Sequence, residues 1–412
     1  MNSLPYLPYG RQSISEADIE AVVKVLRSDF LTQGPTIPRF EQVVADHCGS
    51  AYGVASNSST SSLHVACLAL GVGPGDRVWT SPNTFVASSN CALYCGASVD
   101  FVDIDPRTYN MSVASLEAKL AEAEAAGTLP KVVIPVHFCG QSCEMEAIGR
   151  LAKRYGFRVI EDASHAIGAT YAGEPVGNCR HSDITVFSFH PVKIITTGEG
   201  GMAVTNDAAL AEAMRLHRSH GITSKREAMD PRPADEIWNY QQVSLGFNYR
   251  MTDIAAALGI SQMTRLNEFV NRRHELAEAY DQAFERLPVI RPWQHPDTRS
   301  SYHLYPIRIR HEHCGLTQRQ VYDACGNIGI NIHYIPVHRQ PYYERLGFRA
   351  GYCPEAERFH RETISLPIFA SMTSADQERV IVWLEGLMQG ATCPSSVREG
   401  HSSIDLHSVR AG

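Results

Sequence analysis

The sequence predicts an α/β fold: a large domain with a mainly parallel central sheet flanked by helices, followed by a smaller C-terminal α+β domain. Three observations predict it. Short apolar runs alternate with helical patterns between Tyr52 and Thr205. The order of patterns changes after about Pro288. A chain of 412 residues is also too long for one small core.

The elements follow in order. Ser15 to Ser28 reads as an amphipathic helix: Ile19, Val22, Val23 and Leu26 recur at helical spacing, Ser15 suits an N-cap, and Asp18 occupies the capping-box position. Thr36 to Cys48 reads as a second helix, Tyr52 to Ala55 as a strand, and Ser61 to Leu70 as a helix ended by the turn Gly71 to Asp76. Further strands are expected at Arg77–Thr80, Ser98–Val102, Lys131–His137, Arg158–Ile160, Ile184–Phe189 and Gly201–Thr205. Helices near Phe85–Tyr94, Ser112–Ala125 and Glu144–Tyr155 separate the earlier ones. His217 to Arg250 is polar and carries Pro231 and Pro233, the mark of an extended loop. Thr252 to Phe284 reads as one long connecting helix. Beyond it come a strand at Leu304–Ile309, a helix at Thr317–Cys325, a strand at Ile330–Tyr334 and a last helix at Ser374–Met388. The expected division is a large domain over 1–250, a connecting helix over 251–287, a small domain over 288–390, and a flexible polar tail over 391–412. No internal repeat is visible.

Composition narrows the function. The net charge of −7 argues against a general nucleic-acid binder, although a local site can still be basic enough for a small anion. The N-terminus lacks a basic region followed by an apolar run, and no stretch reaches the roughly 20 apolar residues that span a bilayer. A cytoplasmic protein with no membrane partner is expected. The 11 cysteines are odd in number and scattered, unlike a secreted disulfide framework. Cys91 and Cys95, and Cys139 and Cys143, form C-x3-C pairs without a second pair at metal spacing, and His217 with His220 is no better. No metal site is expected.

Ligands of such sheets bind at the C-terminal ends of the strands. Three polar clusters fall there. Ser56-Asn57-Ser58-Ser59-Thr60 joins a strand to a helix, where small hydroxyl residues and free backbone N–H groups can hold a phosphate. Taken alone, an ordinary N-cap is the commoner explanation. Glu161-Asp162-Ala163-Ser164-His165 follows an apolar strand, and an acid there can pair with a protonated ring nitrogen. A strand-end Asp capping the next helix explains it as simply. Ser188-Phe189-His190-Pro191-Val192-Lys193, leading into Thr196-Thr197-Gly198-Glu199-Gly200-Gly201, places a lysine between two apolar strands. Burial lowers a lysine pKa and suits it to Schiff-base chemistry, whereas most lysines simply stay in solvent. The loop carries little other charge, which favours a function. Gly71-Val72-Gly73-Pro74-Gly75 lacks the third Rossmann glycine, which disfavours a nicotinamide enzyme, and Gly198 to Gly201 has no Walker ending.

In this order, the three clusters resemble the DegT-type sugar-nucleotide aminotransferases, fold-type I enzymes dependent on pyridoxal phosphate (PLP). The resemblance runs from about Leu7 to Gly386. It includes Leu31-Thr32-Gln33-Gly34-Pro35, Thr84-Phe85-Val86-Ala87, Gly246 to Asp253 and His333 to His338. It implies that Lys193 bonds the cofactor and then moves the proton, that Asp162 keeps the pyridine nitrogen protonated, and that His165 lies near the ring hydroxyl. It implies that Phe85 lies against the ring and that Ser59, Thr60 and Ser188 hold the phosphate. Asn248 would reach the phosphate of a partner subunit in a homodimer with shared sites. His333 and Tyr334 would flank the sugar-nucleotide pocket. Some relatives carry His at the lysine position and are dehydratases, so Lys193 favours amino transfer.

The finer resemblance is to the pseudaminic acid pathway subgroup, through His190 to Lys193, Ile195 to Gly201, Trp238 to Gln242 and Leu266 to Val270. Ile194 departs from that pattern, where a polar residue is expected. The subgroup implies UDP-2-acetamido-2,6-dideoxy-β-L-arabino-hexos-4-ulose as the keto sugar and L-glutamate as donor, released as 2-oxoglutarate. The rivals are another UDP- or dTDP-linked 4-keto-6-deoxy sugar, and a non-catalytic regulator that keeps the fold.

Overall fold

A computed structural model describes residues 5–233 and 235–391. Its centre is a seven-stranded sheet of β1 (Tyr52–Ser56), β2 (Arg77–Thr80), β3 (Ser98–Phe101), β4 (Val132–Ile134), β5 (Arg158–Asp162), β6 (Ile184–Ser188) and β7 (Gly201–Thr205). The strand order is β1-β7-β6-β5-β4-β2-β3. The pairs from β3 to β6 are parallel, whereas β7 runs antiparallel to both its neighbours. The start of β7 therefore meets the ends of β1 and β6, and Ser56, Gly201 and Ser188 stand in one row across the sheet edge.

Alternate residues of each strand feed opposite cores. Val54, Ile160, Val186 and Ala203 pack on one face with α3 (Ser59–Ala69), α4 (Ala87–Tyr94) and α7 (Ala208–Arg218). Ala55, Phe187, Met202 and Val204 pack on the other with α2 (Thr36–Cys48) and α8 (Asp253–Met263), while α5 (Val113–Ala126) and α6 (Met145–Tyr155) cover Val133 and Val159. Burial on both faces explains why these strands read as nearly continuous apolar runs. The smaller unit has an antiparallel sheet of β8 (Val289–Ile290), β9 (Tyr305–Ile309) and β10 (Thr363–Leu366). Its core, around Tyr280, Tyr305, Ile364 and Leu384, also takes in Leu7 from the N-terminal segment, which bridges to Ile328.

The helix α1 (Glu16–Leu26) has the expected Ser15–Asp18 capping box; it buries Val25 and leaves Ile19 and Leu26 about half exposed. Three expectations need correction. The expected single helix over 252–284 is two, α8 and α9 (Leu266–Ala283). At the break the Thr264 hydroxyl donates back to the Ser261 carbonyl, and Arg265 is drawn toward Asp18 and the Ser13 carbonyl. The expected loop from His217 begins inside α7, whose last turn holds His217, and contains a short ribbon pairing Ile222–Thr223 with Gln241–Gln242. Among the described residues, 330–334 make one bridge, Asn331 to Ser365, and the Asn331 side-chain oxygen accepts from the Ile332 N–H, so the expected strand does not extend. The expected tail, from residue 392 on, lies outside the described residues.

Candidate active site

The C-terminal ends of β1, β5 and β6, with the start of β7, open into a cavity of about 900 Å³. Ser59, Thr60, Phe85, Asp162, His165, Ser188, Lys193, His333 and Tyr334 all line it. Asn248 does not: it is exposed, beside the cavity residue Asn57, whose backbone N–H donates to the Tyr249 carbonyl next door.

One end of the cavity is built from hydroxyls. Ser58 caps α3 by accepting from the Ser61 N–H at 3.1 Å, so the next two residues sit at the positive end of the helix. Gly201 makes this arrangement possible, since a methyl group there would overlap the Ser58 carbonyl and the Ser59 nitrogen. The hydroxyls of Ser59, Thr60 and Ser188 have no protein hydrogen-bond partner among the described residues and face the cavity. Hydroxyls and leftover helix N–H groups of this kind fit a phosphate.

The middle holds an acid and a base. Asp162 is 4% exposed, accepting from the Ser88 hydroxyl at 2.6 Å and from the Ser164 N–H at 3.1 Å. Among the described residues it belongs to no ion pair within 4.0 Å, so a buried carboxylate faces the cavity without a bound cation. A pyridinium N–H suits that position. Lys193 lies on the loop between β6 and β7, which Phe189 closes by donating to the Gly200 carbonyl and accepting from Thr197 N–H. Desolvation lowers its pKa to about 8, although Asp162 pulls the other way. A lysine there has a sizeable uncharged fraction near neutral pH. Ile194, the departure from the subgroup pattern, is 4% exposed within the apolar core beside Phe189 and Ile195. It anchors the loop from behind and leaves Lys193 free to face the cavity.

Aromatic and imidazole groups form the remaining wall. Phe85 is 60% exposed on the cavity side. His165 is buried; its Nδ1 accepts from the Cys139 N–H at 3.3 Å, and its Nε2 meets the Tyr334 hydroxyl at 3.2 Å. Burial, then the Lys193 charge, pushes His165 well below the ordinary histidine range. The neutral ring with Nδ1 accepting places its proton on Nε2, facing Tyr334. His333 is pushed down to about 3 by the same two causes and bonds the Ser365 hydroxyl at 2.8 Å. Burial raises the Tyr334 hydroxyl, so it stays protonated.

The sequence reading missed His303. It is 3% exposed, its Nε2 is 3.5 Å from Lys193 Nζ, and its ring centroid is 4.3 Å from that of His165. Nothing local marks it, since it arrives from 110 residues along the chain.

Comparison with known proteins settles the family. The DegT/DnrJ/EryC1/StrS aminotransferase family profile matches residues 12–385. The chain belongs to this family. It is 38% identical over 391 residues to the spore coat polysaccharide biosynthesis protein SpsC of Bacillus subtilis, covering 94% of this chain and 98% of that protein. It is 37% identical over 379 residues to the UDP-4-amino-4,6-dideoxy-N-acetyl-beta-L-altrosamine transaminase of Campylobacter jejuni, covering 91% and 95%. Among solved structures, Helicobacter pylori PseC, an aminotransferase involved in the biosynthesis of pseudoaminic acid, superposes with a TM-score of 0.84 at 29% identity, covering 93% of this chain and all of that one. The chain is thus a PLP-dependent sugar aminotransferase, with the fold of that class. No helix of the described residues is long and apolar enough to cross a membrane.

Proposed function

We propose that this enzyme transfers the amino group of L-glutamate to the C4 ketone of UDP-2-acetamido-2,6-dideoxy-β-L-arabino-hexos-4-ulose. The product is UDP-4-amino-4,6-dideoxy-N-acetyl-β-L-altrosamine. The observation that carries the chemistry is the pairing of Lys193, held near pKa 8, with the buried and unpaired carboxylate of Asp162 in one cavity. The choice of sugar rests on the name of the Campylobacter relative and on the pathway of PseC. A cavity near the upper end of ligand-site volumes also suits a bulky nucleotide sugar beside a cofactor.

When bound, PLP supplies an aldehyde that takes up the amino group and a ring that stores an electron pair. Ser59, Thr60 and Ser188 would hold the phosphate, and Asp162 would keep the ring nitrogen protonated. Phe85 and His165, which line the cavity, would flank the ring. Lys193 would hold the cofactor through its Nζ, and that Nζ would carry the proton between the two exchanging carbons. His333 and Tyr334 stand on the nucleotide-sugar side. Asn248 serves the phosphate of a second copy. That role is supported by the exposed apolar surface of Ile19, Leu26, Phe30, Leu31 and Leu245, which a homodimer covers. The expected domain boundaries, near 250, 287 and 390, stand as part of the same reading.

The test is a panel of UDP- and dTDP-linked 4-keto-6-deoxy sugars, incubated with enzyme, PLP and L-glutamate and followed by mass spectrometry of the amino sugar. The β-L-arabino substrate is expected to turn over fastest, with no turnover by Lys193→Ala. A different sugar turning over ten-fold faster would sink the substrate reading and favour a role such as that named for SpsC. Turnover surviving in Lys193→Ala would overturn the mechanism.

A further inference from the structure

The segment from Ser300 to Leu304 is built to put one imidazole beside Lys193. Tyr302, a bulky residue, has φ +47, in the region glycine prefers. Two devices hold it there. Arg273 is 1% exposed and has no carboxylate partner among the described residues; its Nη1 donates to the carbonyls of Tyr302, His303 and Ile368 at 3.0, 3.3 and 2.8 Å. Ser301 donates to the His165 carbonyl at 2.7 Å and lies so close to Gly140 (φ +97) that a methyl group there would overlap its hydroxyl. A buried guanidinium and a left-handed tyrosine are costly, and strain of this kind persists where the surroundings enforce it.

What the segment delivers is His303. Its Nδ1 is buried with no hydrogen-bond partner among the described residues, and its Nε2 lies 3.5 Å from Lys193 Nζ. Among the described residues, Lys193 is thus the group to which this ring offers a nitrogen. We propose that His303 is a positioning residue for Lys193: its Nε2 accepts a hydrogen bond from the lysine amine whenever that amine is free, holding Nζ at the cavity wall between its bonding steps. This rests on the reading of Lys193 as the cofactor-bonding lysine. An ammonium can only donate, so Nε2 carries the lone pair and the proton sits on Nδ1.

His303 does not act as a base. Burial, and then His165, Lys193, Arg273 and His333 around it, push it well below the ordinary histidine range. Asp162 is the carboxylate that acts on Lys193. The imidazole therefore orients the amine and leaves its proton in place.

The test uses full-length enzyme loaded with PLP and treated with excess L-glutamate, which frees Lys193. Cyanate, a small reagent for uncharged amines, is applied from about pH 6 to about pH 10, and modification of Lys193 is read by peptide mass spectrometry. The wild-type midpoint is expected at about 8. In His303→Phe the ammonium loses its acceptor, and the midpoint falls by about one pH unit. His303→Gln, whose side-chain oxygen reaches the same place, returns it toward the wild-type value. An unchanged midpoint in a His303→Phe enzyme with a normal melting curve overturns the proposal. If that variant does not fold, the 15N imidazole spectrum of wild type decides: a proton on His303 Nδ1 supports the proposal and a proton on Nε2 overturns it. Loss of the visible PLP band in Lys193→Ala tests the underlying reading separately, so the two failures are distinguishable.

Discussion

Glu161 and Asp162 are neighbours on one strand, both about 5% exposed, and they have opposite fates. Strand alternation sends them to opposite faces of the sheet. Glu161 enters a closed shell, accepting from Ser182 and Thr185 at 2.5 and 3.0 Å and meeting His137 Nε2 at 2.6 Å. The Cys143 N–H donates to His137 Nδ1 at 3.1 Å, so the ring's Nε2 carries the proton that goes to the carboxylate. Asp162, one residue on, has one hydroxyl and one backbone N–H and otherwise faces the cavity. Burial costs a carboxylate about the same on either face; filling its shell makes it structural, and leaving its shell incomplete reserves it for a ligand.

The comparison breaks most visibly at Asp162. Asp162→Asn keeps the shape and removes the charge. Turnover is expected to fall by about 10²–10³-fold, the usual scale for losing a group that stabilises developing charge. The melting temperature of the cofactor-free protein should hold or rise, because an uncompensated buried charge is gone. A variant that keeps turnover but melts early would make Asp162 the structural member of the pair.

This half of the site was legible because it is local. A strand-end acid and a lysine in a glycine-rich loop announce themselves within a dozen residues, and the sheet then brings Asp162 and Lys193 together. The other half was not. His303, Arg273 and the Tyr302 turn come from segments about 110 residues or less beyond the loop and meet only in the folded chain. Their local pattern around Leu304 reads as an ordinary strand. The α1 pattern was legible as a helix, but periodicity reveals an apolar face without saying whether core or another surface covers it. Glu161 itself passed unread, since a pair with His137, 24 residues upstream, has no sequence signature.

At Glu161 the expected effect is smaller and of a different kind. Glu161→Gln removes charge-assisted hydrogen bonds and should lower stability by about 1–3 kcal/mol, with turnover within two-fold of wild type. Burial would raise the Glu161 pKa, but His137, Ser182 and Thr185 override it and hold the group below its ordinary 4.5. The carboxylate therefore contributes stability above that value and loses it as pH falls through the lower folded one. Denaturant melts of both proteins should show the wild-type advantage intact at neutral pH and shrinking below pH 4.5. A gap independent of pH would mean that the carboxylate is not the charged partner.

The smallest effect sharpens the comparison by closing Asp162 a little less. The Ser88 hydroxyl, 2.6 Å from Asp162 Oδ2, is also 2.7 Å from the Thr84 hydroxyl, so a chain of hydroxyls fixes which way the carboxylate points. Ser88→Ala deletes one hydrogen bond to a charge but leaves the charge, and turnover is expected to fall about five-fold, the equivalent of about 1 kcal/mol. The KM for the keto sugar should not move, since Ser88 is buried behind Asp162 and does not line the cavity. A loss as large as that of Asp162→Asn would mean that the direction of the carboxylate, and not its charge, limits the reaction. No loss at all would mean that Ser164 and the cavity walls already hold it, and that Asp162 needs a shell even less complete than the one it has.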